Sequence, residues 1–447
     1  MTGAALPALA PTGGAPAPPA WWPPRIYYGW ALVGVLGLTA TVSYGVLSYA
    51  LAVFIAPMSA ELGWTKTEIT GAYSLAQLVA GAAAIPVGRW VDRHGARSLM
   101  TAGSLLATAL LVLWSRVESL AAFYALFAAM GVALAAVLYE PAFAVVATWF
   151  RRDRGRALTL LTFLGGFASV IFVPLATQLV ARLGWRGALL ALAAVLAALT
   201  VVPHALVLRR RPADVGLAPD GEVRGAGADG GTPAHATARE AAMTARAAVR
   251  SRAFRWVAVG FALSAFTTTA VSVHLVPLLL ERGYGIGFAG AAMGVLGLMA
   301  LPGRLVFTPL GGRWSRSAVT AAIFALQAVA AVALLATRGT VGVWLFVVLF
   351  GAGFGAITPA RAALVAELFG AAHYGKVGGA LALAVSLARA AAPVGASLLY
   401  AAAGGRAHGY DVMMLALLVL CVASGAAVLR AGDGPGPDAG AHAAARA

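Results

Sequence analysis

Long apolar stretches alternate with short polar ones along almost the whole chain. Twelve of them are long enough to cross a membrane, because a helix needs about 20 mostly apolar residues to span the hydrocarbon layer. They lie at approximately 27–56, 68–88, 98–115, 119–149, 157–181, 186–208, 255–281, 287–311, 318–337, 341–367, 376–403 and 408–430. Lipid offers the backbone no hydrogen-bond partners, and the stretches lack the strict alternation of barrel strands. The pattern therefore predicts an all-α membrane protein with twelve transmembrane helices.

The composition of the chain agrees with this interpretation. Of 447 residues, 61% are hydrophobic and 11% are charged, and the mean hydropathy is +0.86. Soluble domains carry about 25% charged residues, so a soluble fold is excluded. The single cysteine, Cys421, excludes an internal disulfide and a Cys-rich metal site. We predict that the protein needs neither a metal nor another cofactor.

Basic residues are concentrated on one side of the predicted topology. Of the 32 Lys and Arg residues, 22 fall in one set of loops and termini and seven in the opposite set. By the positive-inside rule the first set is cytoplasmic, together with both termini. The net charge of +16 then reflects topology and contact with anionic membrane lipids. We predict a multi-pass protein of the cell inner membrane that binds no nucleic acid, since no basic soluble domain is long enough for that role.

Three polar segments divide the chain. Residues 1–24 and 431–447 have low-complexity compositions that predict disordered cytoplasmic tails. Residues 209–254 predict a cytoplasmic linker that ends in a short basic amphipathic helix. The remaining sequence forms an N-terminal six-helix bundle at 25–208 and a C-terminal six-helix bundle at 255–430.

One loop, GRWVDRHGAR at 88–97, resembles the cytoplasmic loop signature of the major facilitator superfamily. The matching residues are Gly88, Asp92, Arg93, Gly95 and Arg97. Asp92 is placed to cap the next helix or to hold the arginines of a neighbouring loop, and so to latch two bundles together. The alternative is an ordinary basic turn. In the second half GRW recurs at 312–314, but Arg316 stands where Asp92 would be.

Longer stretches resemble a narrower group, the bacterial branch of the monocarboxylate transporter and oxalate:formate antiporter families. These stretches are YYGWALVGVLGLTATVSYGVLSYALAVF at 27–54, ELGWTKTEI at 61–69, LGWR at 183–186, HLVPLLLERG at 274–283 and ALVAELFG at 363–370. The resemblance implies the major facilitator fold, in which two six-helix bundles are related by pseudo-two-fold symmetry and a substrate site lies near the bilayer midplane. It also implies secondary transport of small organic anions, driven by protons or by exchange. We expect a monomer.

Two arginines lie deep in predicted spans, where a charge costs about 2.5–3.5 kcal/mol and is usually functional. Arg304 lies about two-thirds of the way through the eighth span, and Arg389 lies near the middle of the eleventh. A guanidinium matches a carboxylate in a bidentate geometry and stays charged at physiological pH. The resemblance equates Arg304 with the substrate-binding arginine of the monocarboxylate group, with Ala300 in place of its acidic partner, and Arg389 with the eleventh-span lysine of the oxalate exchangers. The alternative for each is a structural ion pair.

Glu140 in the fourth span is the acidic counterpart of these arginines. Its neighbour Pro141 permits a kink, so this helix is a candidate to move during transport. A carboxyl group away from bulk water is also a candidate for proton coupling. A static pairing with Arg304 or Arg389 is the alternative interpretation.

Five further polar residues in the spans are secondary candidates for substrate binding, because they carry hydroxyl, amide or imidazole groups. They are Tyr44, Tyr73, Gln77, Tyr139 and His274. For His274 a packed position at a helix end is the alternative, and each of the others alone is also typical of a core or an interfacial belt.

An enzyme is not expected, because the chain has no P-loop, no HExxH helix and no nucleophile elbow. Two alternatives to anion transport stay open. One is a drug or metabolite exporter of the same superfamily, although Gly165, Gly166 and Pro174 in the fifth span lack the clustering of the usual exporter motif. The other is a transporter-like sensor that binds a ligand without moving it.

Overall fold

A computed structural model describes residues 26–221, 245–310, 314–337, 339–370, 373–404 and 408–432. The predicted tail at 1–24 lies outside the described residues, as do the middle of the predicted linker and all of the second tail except Ala431 and Gly432. Every regular element in the described ranges is helical.

Nine helices precede the undescribed part of the linker. They are α1 (Tyr28–Tyr44), α2 (Leu51–Leu62), α3 (Lys66–His94), α4 (Ala96–Trp114), α5 (Leu120–Val137), α6 (Tyr139–Trp149), α7 (Arg154–Gly165), α8 (Ala168–Leu196) and α9 (Val202–Val207). The π-helical turn Gly45–Tyr49 joins α1 to α2, and the turn Ala197–Val201 joins α8 to α9. Two 3-10 turns follow, at Pro212–Val215 and Pro219–Gly221.

Seven helices make up the described chain from residue 245 onward. They are α10 (Ala245–Arg250), α11 (Arg252–Glu281), α12 (Ile286–Leu310), α13 (Arg316–Ala336), α14 (Thr340–Phe369), α15 (Tyr374–Ala402) and α16 (Gly409–Gly432). Helix α10 is short and basic, and it falls within the predicted linker.

Eleven helical segments among the described residues are long and apolar enough to cross a membrane. Ten of them correspond to one predicted span each, and the eleventh, Arg154–Val207, has 54 residues and corresponds to two. Gly184 divides this segment with backbone angles of φ 68° and ψ 169°, a conformation that is open almost to glycine alone. The protein is therefore a multi-pass membrane protein of the predicted fold class.

The described chain belongs to two compact units. The first runs over Met1–Ala242 and also includes Ala371–Gly379, whereas the second runs over Met243–Gly370 and Ala380–Ala447. Because Ala371–Gly379 belongs to the first unit, the first turn of α15 packs with helices that lie almost 300 residues earlier in the chain.

Aromatic side chains fill the core of the first unit. The rings of Trp114 and Phe127 lie 4.9 Å apart, those of Phe123 and Phe127 4.5 Å, and those of Phe54 and Trp114 5.5 Å. All four side chains are fully buried. Helices α3 and α5 pack closely at Gly131. A side chain at this position would overlap the carbonyl oxygen of Ala76.

Two of the family-like motifs meet at the ends of helices in this unit. Glu61 of the ELGW motif accepts hydrogen bonds from Trp185 Nε1 and Arg186 Nε of the LGWR motif. The other guanidinium nitrogens of Arg186 donate to the carbonyls of Ser115 and Val117. Arg186 thus ties together the ends of three helical segments, and the motif is structural here.

The conformation of Gly184 generates a prediction about stability. Replacement of Gly184 by Ala should destabilise the protein by about 1–3 kcal/mol, because any Cβ is strained at this φ and ψ although the surrounding space is open. Gly34→Ala is the matched control, since Gly34 lies in the α-helical conformation of α1 and also has open space around its Cα. Thermal unfolding in detergent measures both variants, and an equal midpoint for the two would contradict the argument.

Candidate functional site

Arg304 lies on α12, within one of the apolar segments. Its side chain is partly buried, and Nε donates a 3.3 Å hydrogen bond to the carbonyl of Gly355 on α14. This bond fixes the base of the guanidinium group. The two terminal nitrogens carry the four other N–H donors, which are those that bind a carboxylate in the fork geometry.

Glycines allow α12 and α14 to cross closely beside Arg304. A Cβ atom on Gly303 would overlap the carbonyl of Ala352, and one on Gly355 would overlap that of Ala300. Small residues of this kind permit close backbone packing in membranes. The backbone of Ala300 therefore packs against that of Gly355. In the family resemblance, position 300 is that of the acidic partner of Arg304.

The face of α12 that leads to Arg304 borders open space. No neighbouring atom lies within 4 Å of a Cβ added at Gly290, Gly294 or Gly297. With the 3.6-residue period of a helix these glycines lie on the same side of α12 as Leu301 and Arg304. A small molecule in this space would lie beside the three glycines, and Leu301 and Arg304 would follow on the same face.

Arg389 is exposed on α15 but lies beside the buried side of that helix. Successive residues turn by about 100°, so Arg389 is about 40° from buried Val385 and about 160° from Leu387. Leu387 and Val394 belong to an apolar stripe that is 56–64% exposed. Arg389 therefore lies apart from the side of α15 that is suited to contact lipid chains.

His274 is buried on α11 and packs against α15 and α16. Its Nε2 lies 3.5 Å from the carbonyl of Pro393 and 3.4 Å from Ser397 Oγ, and its ring contacts that of Tyr410 at 6.1 Å. These contacts favour the packed position that the sequence left as the alternative.

Two of the candidate tyrosines lie together in the first unit. The rings of Tyr44 on α1 and Tyr139 on α6 lie 4.7 Å apart, and Tyr139 stacks on Phe143 at 5.0 Å. The Tyr139 hydroxyl packs against Gly165, where a Cβ atom would overlap it. Tyr139 on α6 therefore contacts both α1 and α7, and Glu140 is the next residue of α6.

The fourth predicted span breaks immediately before Tyr139. Leu138 has an extended backbone, so α5 ends at Val137 and α6 begins at Tyr139. Pro141 then lies in the first turn of α6, where its missing N–H leaves no hydrogen bond unmade. The sequence predicted a kink at this proline, and the structure has a full break three residues earlier.

Glu140 lies in the first turn of α6, a position in which the helix dipole favours a carboxylate. A Cβ atom added to Gly378 on α15 would lie 3.4 Å from Glu140 Oε2. The carboxyl group is therefore adjacent to the first turns of α15 within the first unit.

Tyr73 and Gln77 form a local pair on α3. Gln77 Nε2 donates a 2.7 Å hydrogen bond to the Tyr73 hydroxyl across one helical turn. Both side chains are half-buried. A tyrosine hydroxyl and a side-chain amide are both hydrogen-bond donors of the kind that a carboxylate accepts.

Asp92 caps a helix, although not the one that follows it. Its carboxylate accepts hydrogen bonds from the backbone N–H groups of Gly375 (2.9 Å) and Lys376 (3.0 Å), in the first turn of α15. Gly88 makes this possible, because a side chain there would overlap the Gly375 carbonyl. The expected cap on the next helix is wrong: α4 begins at Ala96 after Gly95, and no side chain caps it.

The other residues of the loop signature have separate positions. Gly95 has φ 81° and ends α3, and the stem of Arg210 lies across it. Arg97 Nε donates a 2.7 Å hydrogen bond to the Ala205 carbonyl on α9. Arg93 is exposed.

The second copy of the signature makes a different contact. Arg316, which replaces the acidic residue, lies 3.5 Å from Glu367 Oε2 at the end of α14. The charge at this position is therefore reversed, and it bridges α13 to α14 within the second unit.

Sequence reasoning missed the role of Asp220, just after the sixth span. Its carboxylate accepts hydrogen bonds from the backbone N–H groups of Arg151, Arg152 and Asp153. Burial and the charge of Asp220 raise the pKa of the Tyr27 hydroxyl, which donates to the carbonyl of Trp149. The only signal was an acidic residue in a basic linker, and nothing in the sequence identified its partners.

Within the described residues, no three His, Cys, Asp or Glu side chains lie together in a way that could hold a metal ion. The candidate residues belong to both units. Tyr44, Tyr73, Gln77, Tyr139 and Glu140 belong to the first, and His274, Arg304 and Arg389 belong to the second.

Comparisons with known proteins agree with this description. A model of the Major Facilitator Superfamily matches residues 36–393. The chain is 30% identical over 292 residues to monocarboxylate transporter 11 of Homo sapiens, which covers 63% of this chain and 57% of that protein. It is 31% identical over 274 residues to the Mus musculus protein, which covers 60% and 56%. The chain thus spans just over half the length of these curated relatives.

Solved structures share the fold at low sequence identity. The major facilitator transporter FucP of E. coli, in its outward conformation, has a TM-score of 0.68 at 14% identity, over 89% of this chain and 99% of that chain. The human organic anion transporter MFSD10 has a TM-score of 0.67 at 16% identity, over 90% and 99%.

The family match extends over most of the chain, and the family and its solved members are transporters rather than enzymes. The sequence resemblance is confirmed at both levels, by the family model and by the monocarboxylate transporter relatives. The chain belongs to the major facilitator superfamily, and within it resembles the monocarboxylate transporter branch.

Proposed function

We propose that this protein is a secondary active transporter that moves small organic anions across the cell inner membrane by alternating access. The observation that carries the proposal is Arg304, a permanent positive charge within an apolar segment, tied to the carbonyl of Gly355. The monocarboxylate transporter relatives support the cargo class. The cargo is a monocarboxylate or a dicarboxylate.

Arg304 binds the carboxylate through its terminal nitrogens. The cost of placing a guanidinium in an apolar segment, about 2.5–3.5 kcal/mol, is partly offset by the Gly355 carbonyl and is offset further when an anion binds. The glycine face of α12 leaves room for the rest of the molecule beside Gly290, Gly294 and Gly297. Substrate affinity and a low barrier to release then come from one exchangeable ion pair.

Arg389 is the auxiliary cation of the site. It is accessible and lies away from the exposed apolar stripe of its helix. A second cation favours substrates that carry a second carboxylate or another electronegative group. Tyr44, Tyr73, Gln77 and Tyr139 in the first unit and His274 in the second are the secondary candidates for substrate binding.

Glu140 is the candidate for coupling transport to protons. It begins a helix at a break in the fourth span, where a change in the carboxyl charge alters its interaction with the dipole of α6. The carboxyl group of Glu140 lies next to Gly378, close to the turn of α15 that Asp92 caps. Protonation of Glu140 would change the charge close to the first turns of α15.

The orientation follows from the distribution of basic loops. Both termini and the Asp92 loop lie in the cytoplasm, and the protein acts as a monomer. An exporter of drugs or metabolites is the second candidate, because the chain is also 29% identical over 148 residues to the fujikurins efflux protein of Gibberella fujikuroi. That likeness covers 32% of the chain, about half of what the monocarboxylate relatives cover.

Substitution of Arg304 tests the site directly. A thermal-shift screen of formate, acetate, lactate, pyruvate, oxalate and malonate first selects the stabilising anions. Arg304→Ala should then lower uptake of the radiolabelled anion into proteoliposomes by about 100-fold, since a lost buried charge pair costs roughly 3 kcal/mol. Arg304→Lys should recover little, because an ammonium lacks the bidentate geometry.

The control for this substitution is Arg182→Ala, which removes an exposed arginine from the break between the fifth and sixth spans. Both variants are compared by monodispersity and by insertion into vesicles. Normal uptake by correctly inserted Arg304→Ala protein would remove Arg304 from the site. Binding of the selected anion by the wild-type protein without any accumulation would favour the sensor.

Arg389 should set the preference for dicarboxylates. Arg389→Ala should weaken the inhibition of labelled uptake by oxalate and malonate about fivefold and leave inhibition by formate and acetate almost unchanged, since an accessible ion pair contributes about 1 kcal/mol. Inhibition constants for the four anions, measured on one preparation, give the ratio. An equal loss for both classes would exclude a specific contact with the second carboxylate.

Glu140→Gln should uncouple transport from protons. We expect the variant to retain exchange of labelled for unlabelled anion but to lose the acceleration that an imposed pH gradient gives the wild-type protein. Glu118→Gln is the control, because Glu118 is exposed beyond the end of α4. If the pH gradient still accelerated uptake by Glu140→Gln, proton coupling would have to involve another group.

A further inference from the structure

A groove of about 620 Å³ lies on the first unit, and none of the residues assigned to the substrate lines it. One wall is the first turns of α4, and the other is the chain that leaves α9. Its lining is basic at one end, with Arg97, Arg209 and Arg210, and apolar at the other, with Leu105. A groove with one charged end and one apolar end is suited to an amphipathic ligand.

Backbone carbonyls position two arginines of the groove, Arg97 and Arg209. Arg97 Nε donates to the Ala205 carbonyl, and Arg209 Nη1 donates to the carbonyls of Leu206 (2.8 Å) and Leu208 (3.0 Å). These bonds occupy one donor of Arg97 and two of Arg209, and each guanidinium has five. The terminal donors at this end of α9 are those suited to bind phosphate oxygens.

Positive charge predominates at the basic end. Three arginines and His94 face a single carboxylate, Asp214. That carboxylate already accepts a 3.0 Å hydrogen bond from the backbone N–H of Arg211. Among the ion pairs of the described residues, none uses an arginine of the groove. The groove therefore complements a negatively charged group.

Gly95 of the loop signature shapes this end of the groove. With φ 81° and no Cβ atom, it lets the stem of Arg210 lie across the start of α4. The ring of His94 contacts that of Trp90 in a tilted arrangement, with centroids 4.6 Å apart. The groove is thus built by the same loop that provides Asp92.

The apolar end continues along the helices as exposed surface. On α4 the side chains of Leu105 and Leu113 are 55% and 57% exposed, and on the facing helical segment Val202 and Leu206 are 51% and 62% exposed. In a membrane protein such surface contacts acyl chains. A free anion such as phosphate or a carboxylate would use the basic end but not this track.

We propose that the groove is a binding site for an anionic phospholipid. Its phosphate and acidic headgroup lie among Arg97, Arg209 and Arg210, and one acyl chain follows Leu105 along α4. Basic residues near a membrane surface each contribute about 1 kcal/mol to the binding of anionic lipid, which is about fivefold in affinity. The site is independent of transport and of the identity of the cargo.

The test measures lipid retained by the full-length protein. Protein in phosphatidylcholine nanodiscs is titrated with phosphatidylglycerol, and bound lipid is quantified by native mass spectrometry. The wild-type protein should retain phosphatidylglycerol in preference to phosphatidylcholine. The triple variant Arg97→Gln, Arg209→Gln, Arg210→Gln should bind it at least about tenfold more weakly.

A matched control removes three other arginines from a loop that lines no part of this groove. The triple variant Arg151→Gln, Arg152→Gln, Arg156→Gln makes the same change in net charge and should bind phosphatidylglycerol as the wild type does. An equal loss in both triple variants would mean non-specific attraction to anionic lipid, and a loss in neither would mean that the groove binds no such lipid. Either result overturns the proposal.

Two further arms cover folding and the source of the anion. Arg97 and Arg209 bond to backbone carbonyls, so the single variant Arg210→Gln, which removes none of these bonds, should weaken lipid binding about fivefold if the triple variant misfolds. Glycerol phosphate, which has the charged group without acyl chains, should not displace bound phosphatidylglycerol. Displacement by it would identify a site for soluble anions and overturn the assignment to lipid.

Discussion

The hydrocarbon layer provides no hydrogen-bond partner to a polypeptide, and the whole arrangement follows from that constraint. Each span must satisfy its backbone internally, so all regular elements described are helical. Helices then pack through small residues, as at Gly131 in the first unit and at Gly303 and Gly355 in the second. Breaks in a helix are costly in this setting, and we propose that transport accounts for the break at Leu138 and for the open glycine face of α12.

The same constraint explains how the chain accommodates its arginines. Arg304, Arg97 and Arg186 each donate to carbonyl groups of other helices or helix ends. A backbone carbonyl orients a guanidinium without neutralising its charge, in contrast to a carboxylate. We propose that the charge of Arg304 binds a metabolite and that of Arg97 a lipid headgroup, whereas Arg186 also pairs with the carboxylate of Glu61.

The prediction of the fold from the sequence succeeded because hydrophobic length is a strong signal. All twelve apolar stretches correspond to helices, including the two joined at Gly184. The motifs were less informative about contacts. The sequence identified Asp92 as a capping residue, yet the helix that it caps begins 282 residues later at Tyr374, and the pairing of Asp220 with the 151–153 backbone had no sequence signal. Contacts between residues so far apart depend on how helices pack. A local sequence pattern carries no information about that packing.

The sequence by itself determined the number of spans, the membrane environment and which side chains carry charge into the apolar segments, because these depend on the transfer of each residue from water to lipid. The tertiary structure alone decided which carbonyl orients Arg304, that His274 packs against Pro393 and Ser397, and that Gly95 admits Arg210 beside a basic groove. Those outcomes depend on interhelical distances of a few ångströms. Such distances are set by all the packed side chains of a unit together and not by any one segment.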